Sequence, residues 1–482
     1  MSDRIQRSAP WWIVAAIVCL AMLGVDALTL GERLEMLAAV LCLIAVCIAR
    51  FEHALLFLVA LSTIHGDVAL LAAQLALLVR LVLRGELALD KSFASLLLCA
   101  VAVSTAGSAL FGFFTMQQRP LQWLIWLTTM GFPLAMLGMA RARIPDAASA
   151  RLWRFLLFCL GVQIPIGIVD LYRHGEATPG DWFAGTWQDA NVLGLWAACA
   201  LSVAFIRLVV LPRHVEHVPG RAQTIAGMAA LGFLMAFASA RIFAGSMICG
   251  AGFVIAALWL AGGDVSRRSL ALRAIALIAA GAAATLLAHS WIEENADAFA
   301  SNWQESGKHA LFERIFGEFG GRYNAVLGVG PGMAGSRAAS AASADVLFKE
   351  VTGIASSLLG PAPEPERWAM RDLWTAELAA SIATKSALIT MPFSGWASAR
   401  AELGWPAVLA LLLFLLALAV RLARVAVRHP PVFGIAAAAA VLCAGLPIML
   451  TFDNVLEQPH ITAPLIVLAM VSRGYRMHGA AA

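Results

Sequence analysis

Apolar residues fill long blocks of this chain, and short polar joints separate them. A bilayer-crossing helix needs roughly 20 predominantly apolar residues. At that length the blocks predict about fourteen spans. They lie near 11–30, 34–49, 52–65, 67–84, 92–114, 120–140, 152–171, 188–211, 224–240, 242–262, 271–291, 403–423, 432–451 and 460–473. The second, third and fourth are short and closely joined. No internal repeat stands out. The pattern predicts an all-α, polytopic integral membrane protein with one interruption. Residues 292–402 are mostly polar or weakly amphipathic. The chain therefore divides into N-terminal membrane helices at 1–291, a large extramembrane loop at 292–402 and C-terminal membrane helices at 403–482. About eleven spans fall in the first part and about three in the last.

The long loop has its own grammar. It opens with IEENADAFASNWQESGKHALFERIFGEF and passes through a Gly-rich turn, GVGPG, at 328–332. A small-residue stretch at 333–360 leads to a Pro-rich joint, PAPEPE, at 361–366. The following RWAMRDLWTAELAASI reads as a helix whose broad apolar face suits packing on a membrane rim. Loops of this length are usually functional or disordered, and the Trp content and helical patterning favour function.

Charge placement orients the spans. Cytoplasmic loops carry the Lys/Arg excess. Alternate joints hold Arg50; Arg80, Arg84 and Lys91; Arg141, Arg143, Arg151 and Arg154; Arg213 and Arg221; Arg267, Arg268 and Arg273; Arg421, Arg424 and Arg428; Arg473 and Arg476. The opposite short joints hold isolated cations such as Arg33, Arg119, Arg173 and Arg241. The alternation predicts an even number of spans, both termini in the cytoplasm and the long loop outside. Arg4 and Arg7 give the first span the look of a signal peptide. Without a small-x-small cleavage site it reads as an uncleaved anchor.

Composition agrees. The chain has 482 residues, 61% hydrophobic and 13% charged. Soluble domains are about 45–50% apolar and about 25% charged, so an ordinary soluble enzyme is excluded. Disorder is excluded too, since it needs low hydrophobicity and high charge. The net charge of +4 brings no basic run interleaved with aromatics, and so no nucleic-acid partner. All eight cysteines lie in apolar runs and read as small buried hydrophobes. No His/Cys/Asp/Glu cluster has metal-ligand spacing, so no cofactor or obligatory metal is expected.

Ionisable and polar groups close to a membrane are functional candidates by default. Arg241, in the tight hairpin SARIFAGS, either snorkels to headgroups or faces a cavity, where its guanidinium would grip a diphosphate bidentately. In GTWQDANVLGLW, Gln188, Asp189 and Asn191 stand near a helix start. Asp189 or Asn191 either caps that helix or hydrogen-bonds a sugar. The amides there favour an anion. Arg314 and Arg322 flank the approach to Gly328, Gly330 and Gly332, which permit positive φ and close backbone approach. GVGPG is neither a P-loop nor a dinucleotide fingerprint. Lys308, His309, Glu313, Glu318, Arg371, Asp372, Glu377, Arg400 and Glu402 complete the candidates. Cations would stabilise a diphosphate leaving group, and a carboxylate or His would deprotonate an attacking hydroxyl.

These segments, in this order, resemble the O-antigen polymerase and O-antigen ligase superfamily of bacterial surface-polysaccharide enzymes. GTWQDANVLGLW resembles its Gly-Thr-aromatic…Asn segment, and SARIFAGS its Arg hairpin. The loop with Arg314 and GVGPG resembles its Arg…Gly-x-Gly-x-Gly pattern. SARAELGWPAVLALLL resembles its Glu-Leu-Gly lead-in to a span, and FDNVLEQPHITAPLIVLAM its closing span. The match covers roughly 180–475. Ligases of the superfamily carry a His just before Glu-Leu-Gly; here MPFSGWASARAELGW has none, which favours polymerase.

The resemblance implies a metal-independent GT-C-type glycosyltransferase of the bacterial inner membrane, with its active site facing the periplasm. Donor and acceptor would be undecaprenyl-diphosphate-linked oligosaccharides. The growing chain would move onto a new lipid-linked repeat unit and undecaprenyl diphosphate would leave. A chain-length regulator or export partner is an expected associate. Arg241, Arg314 and Arg322 would hold the diphosphate, Asn191, Asp189 and Gln188 the sugar or headgroup, and the three glycines would shape the loop. Glu377 and Glu402 are the base candidates, with Arg400 steadying one of them. Alternatives are a ligase delivering glycan to lipid A-core, a polysaccharide transporter or flippase, and a non-catalytic assembly scaffold. Transporters place charges near the midplane and often show inverted repeats, whereas the polar groups here gather outside. A scaffold would leave the Arg-bearing outer motifs unexplained.

Overall fold

A computed structural model describes residues 30–63, 67–116, 118, 120–174, 190–210, 232, 241–260, 301, 303–304, 307–318, 325–336, 338–339 and 394–475. Among these residues the protein is all-helical, and Leu87 and Ala140 form an isolated antiparallel β-bridge outside the helices. The helices are α1 (Leu30–Ile48), α2 (Phe51–Leu61), α3 (Asp67–Leu83), α4 (Phe93–Thr115), α5 (Pro120–Trp126), α6 (Phe132–Met139), α7 (Asp146–His174), α8 (Ala190–Val210), α9 (Arg241–Leu260), α10 (Gly307–Phe312), α11 (Gly395–Leu403), α12 (Trp405–Arg428), α13 (Phe433–Phe452) and α14 (Pro459–Gly474). Among the described residues, four segments are long and apolar enough to cross a membrane: Phe93–Thr115, Asp146–Val169, Trp405–Arg428 and Pro430–Phe452. The apolar helices indicate a membrane-embedded protein. The expected span at 271–291, the one at 224–240 apart from Gly232, and all but the last residue of the one at 11–30 lie outside the described residues.

Two expected spans take a different form. The one at 52–65 is an 11-residue helix, α2. At 1.5 Å per residue that is about 16 Å, roughly half the hydrocarbon thickness. The one at 120–140 is helical throughout but widens into a π turn at Leu127–Gly131 between α5 and α6. Such bulges are frequent at functional sites.

α13 is the central helix. Its run Ala436–Ala440 is buried, as are Val441, Leu442 and Cys443. Small side chains let neighbours approach closely. A Cβ on Gly250 of α9 would lie 2.5 Å from the Val441 carbonyl, and one on Gly445 would lie 2.8 Å from that of Ser246. α12 packs on the other side of α13 and also against α4. Lipid-length helices leave large apolar residues outward, for example Phe93, Leu96, Val103, Leu110 and Phe114 along α4.

The two ends of the bundle differ chemically. One end gathers cations that the sequence places in alternate joints. Arg421 pairs with Asp90 and donates to Ser92 Oγ at 3.1 Å, and Arg141 reaches Asp90 at 3.3 Å. Arg80 donates to the Val46 carbonyl at 2.8 Å and Arg473 to that of Leu137 at 3.0 Å. Burial pushes the Asp90 carboxyl up. Hydrogen bonds from Ser92, Ser95 and Arg421, with the Arg421 charge beside it, outweigh this and hold it well below the usual carboxylate range. The opposite end, where α4 and α13 finish and α5, α11, α12 and α14 begin, carries the polar site.

Candidate functional site

The site is built on a break between two helices. Gly404 separates α11 from α12 with φ of 80°, and a Cβ there would lie 2.2 Å from the Val326 carbonyl. Only glycine suits that position. The break lets the loop at 325–336 run alongside the chain: Trp405 N donates to Ala325 O at 2.9 Å, Val329 N to Ala401 O at 2.9 Å and Gly330 N to Glu402 O at 3.1 Å. Ser108 of α4 also donates to the Glu402 carbonyl. Gly328, Gly330 and Gly332 have φ of 67°, 115° and 80°. At Gly328 a Cβ would sit 2.4 Å from the Glu402 backbone.

Past the glycines the loop closes around one carboxylate. Gly332 N donates to Glu402 Oε2 at 2.9 Å, and Ala334 N and Ser336 N donate to Oε1 at 3.0 and 3.1 Å. Alternating amides aimed at one anion form a nest, and here the chain's own carboxylate fills it. Burial pushes the Glu402 carboxyl up, opposed by hydrogen bonds from Gly332, Ser336 and Ala334. The loop's carbonyls are held as firmly. Gln118 donates to Pro331 O, Gln122 to Gly332 O, and Asn454 Nδ2 to Gly335 O at 2.7 Å.

The turn between α13 and α14 supplies the third wall. Asp453 Oδ1 accepts from Asn454 N at 2.6 Å and Oδ2 from Gln458 Nε2 at 2.7 Å. Ser398 of α11 donates to Asn454 Oδ1 at 3.3 Å. Ser394 caps α11, accepting from Ala397 N at 3.3 Å, and donates to Leu450 O at 3.1 Å. Lys308 is fully buried and donates to the Phe452 carbonyl. It thereby ties α10 to the C-terminal end of α13, where exposed carbonyls favour a cation. Burial lowers its ammonium to about 8, against the upward pull of Asp453. After α10 comes a π turn, Glu313–Glu318, whose Ile315 joins Leu311, Val329, Met333, Ala334, Ala397 and Ala401 in one small core.

The turn also lies deep. Gln74, seven residues into α3, donates to Thr462 Oγ1 at 3.2 Å and approaches Pro459 O at 3.5 Å. The start of α14 therefore lies about 10 Å of helix rise inside the bundle. Gln74, Asn454, Glu457, His460 and Thr462 are all buried there.

The structure brings together Arg400, Glu402, Gly328, Gly330 and Gly332, and packs the turn bearing Arg314 against them. Arg314 is half-buried in that π turn. Asn191 is half-buried and is the second residue of α8, so it does not cap that helix. Arg241 is the first residue of α9, and its side chain lies outside the described ones. Gln188, Asp189, Arg322 and Glu377 lie outside the described residues.

Three expectations need correction. Glu402 does not fit a general base, because it is buried and both its oxygens are held by loop amides. Arg400 is not paired with Glu402: its guanidinium lies over the Trp405 ring, 5.5 Å from the centroid, and Glu377, the other carboxylate it was expected to steady, lies outside the described residues. The glycines do shape the loop, but they are buried and the Gly330 and Gly332 amides bond within the protein, which leaves those two none to offer a diphosphate. Ser108, Gln118, Gln122 and Asn454 escaped sequence reading. Gln118 and Gln122, four apart beside an apolar span, carried the one available signal. No His/Cys/Asp/Glu group suited to a metal occurs among the described residues. No protein-family model, curated protein or solved structure matches the chain.

Proposed function

We propose that the chain is a bacterial surface-polysaccharide polymerase, a GT-C-type glycosyltransferase of about fourteen spans in the inner membrane. It transfers a glycan from undecaprenyl diphosphate to a new lipid-linked repeat unit at the periplasmic face, with both termini in the cytoplasm. One observation carries this reading. The loop at 325–336 that bears GVGPG, SARAELGWP and FDNVLEQPH, far apart in sequence, are hydrogen-bonded to one another at the end of the bundle opposite the Asp90–Arg421 cation cluster. A scaffold has no need of so dense a buried polar assembly, since each such group is costly without a partner.

In this scheme Arg241, Arg314 and Arg322 neutralise the departing diphosphate, and Asn191, Asp189 and Gln188 position sugar or headgroup. Glu402 keeps the loop in place, so that Arg314 on the packed π turn is presented at a fixed height. Such preorganised charge is where transition-state stabilisation comes from.

The test is polymerisation of purified lipid-linked repeat units by the purified protein. The wild type should yield polymer and release undecaprenyl diphosphate, and Arg241→Ala should yield none while expressing normally. Undiminished polymer from that variant rejects the site. In cells, loss of a polymerase leaves single repeat units, whereas accumulation of long lipid-linked chains would identify a ligase.

A further inference from the structure

The cation end of the bundle carries a second feature, remote from the Gly-rich loop. There α7 packs on α2, and a cleft opens between the starts of the two helices. Phe51, which opens α2, lies under the Arg84 guanidinium at 4.4 Å and the Arg80 guanidinium at 5.3 Å. Glu52, His53 and Arg151 supply the polar lining of the cleft, and Leu55, Leu56 and Leu152 are among its apolar walls. At about 30 Å³ it encloses space for little more than a water. A ligand would therefore rest on its rim, and the rim offers an accessible guanidinium.

The Arg151 side chain is 64% exposed. Its Nη2 lies 3.4 Å from Glu52 Oε2, and its Nε donates to the Ala147 carbonyl at 3.3 Å. Charge-assisted bonds are normally about 2.7–2.9 Å long, and exposed ion pairs are weak. Most of the N–H groups of Arg151 thus lack a protein partner among the described residues. Arg154, about one turn further along α7, is exposed too. Below these cations the same face of the helix turns apolar. Phe158, Val162 and Val169 stand about two, three and five turns beyond Arg151, and all three are exposed. They belong to the stretch Asp146–Val169, which is long and apolar enough to cross a membrane.

We propose that this edge of α7 binds an anionic phospholipid, with the headgroup phosphate on Arg151, Arg154 beside it, and an acyl chain along Phe158, Val162 and Val169. A guanidinium suits a phosphate because its planar fork donates bidentately. Basic sites between helices at the cytoplasmic face hold anionic headgroups in the same way. A free phosphate would use the cations and leave the apolar row bare. A zwitterionic lipid would bring its own ammonium to the phosphate. Glu52 competes for the same guanidinium and so limits how tightly the lipid is held. None of this depends on the transfer reaction.

The test is native mass spectrometry of the full-length protein in detergent, titrated with dioleoyl phosphatidylglycerol or dioleoyl phosphatidylcholine. The first phosphatidylglycerol should bind about tenfold more tightly than phosphatidylcholine, the order that one or two cations beside a headgroup supply. Arg151→Gln should bring the two lipids within about threefold of each other, whereas Glu52→Gln should bind phosphatidylglycerol at least as tightly as wild type. Equal affinity of the wild type for both lipids overturns the proposal. So does an equal loss in both variants, which would make the ion pair a strut between α2 and α7. Millimolar inorganic phosphate should leave the lipid bound; its displacement would reject a lipid site. If Arg151→Gln does not fold, the wild type is labelled with phosphatidylglycerol bearing a photoreactive acyl chain. Labels within 154–169 that survive excess phosphatidylcholine support the site. Labels elsewhere, or labels lost to phosphatidylcholine, reject it.

Discussion

Glu402 is the residue on which the site turns. Glutamate in a polar loop beside a membrane reads as a catalyst, because its type and position suit one. Its surroundings give it another task. Each carboxylate oxygen faces amide hydrogens from Gly332, Ala334 or Ser336. Glu402→Gln keeps the shape but turns one acceptor into a donor aimed at those amides. Unsatisfied buried groups of this kind cost about 1–3 kcal/mol. We therefore expect a lower melting temperature in detergent and faster proteolysis within 325–336. Unchanged protection of that loop would show that the nest does not depend on the carboxylate. Sequence could mark Glu402 as noteworthy, but only the fold showed that its partners lie 66 to 70 residues earlier in the chain.

At the scale of elements, the helices follow from apolar runs, and their boundaries agree within a residue with the sequence pattern at 93–115 and 433–452, whereas the helix at 405–428 runs five residues past the expected end at 423. Pattern could not show how closely they pack. α9 and α13 meet through glycines. Gly250→Val would drive its side chain into the Val441 carbonyl, 2.5 Å from a Cβ at that position. Overpacking typically costs about 1–3 kcal/mol, so thermal stability should drop. Gly252→Val makes the control: nothing lies within 4 Å of a Cβ there, and its melting temperature should match wild type. Equal effects of the two would refute the close crossing. The short α2 and the π turn at 127–131 were equally invisible, since apolar periodicity cannot count a truncated helix or an extra residue per turn.

For the whole molecule, segregation of charge is the main feature. Arg80, Arg141, Arg421 and Arg473 make their contacts at one end, and the Gly-rich loop, Glu402 and Asn454 lie at the other. If those ends face opposite sides of a membrane, single cysteines will tell. In a background without native cysteines, Lys91→Cys and Val326→Cys should react with an impermeant maleimide from opposite faces of sealed vesicles. Both positions are exposed. Labelling of both from one face would contradict the positive-inside orientation.

Hydrophobic block length and cation alternation determined, from sequence alone, that this chain is helical and bilayer-bound, because both are local properties that lipid and water read directly. The order of its polar motifs also pointed to one shared region. Only the tertiary structure decided what each polar residue does there. Glu402 became a loop anchor and Lys308 a tie to α13. Those roles depend on which donor meets which acceptor across tens to hundreds of residues. In a low-dielectric interior such pairings govern a group's chemistry more than its residue type does.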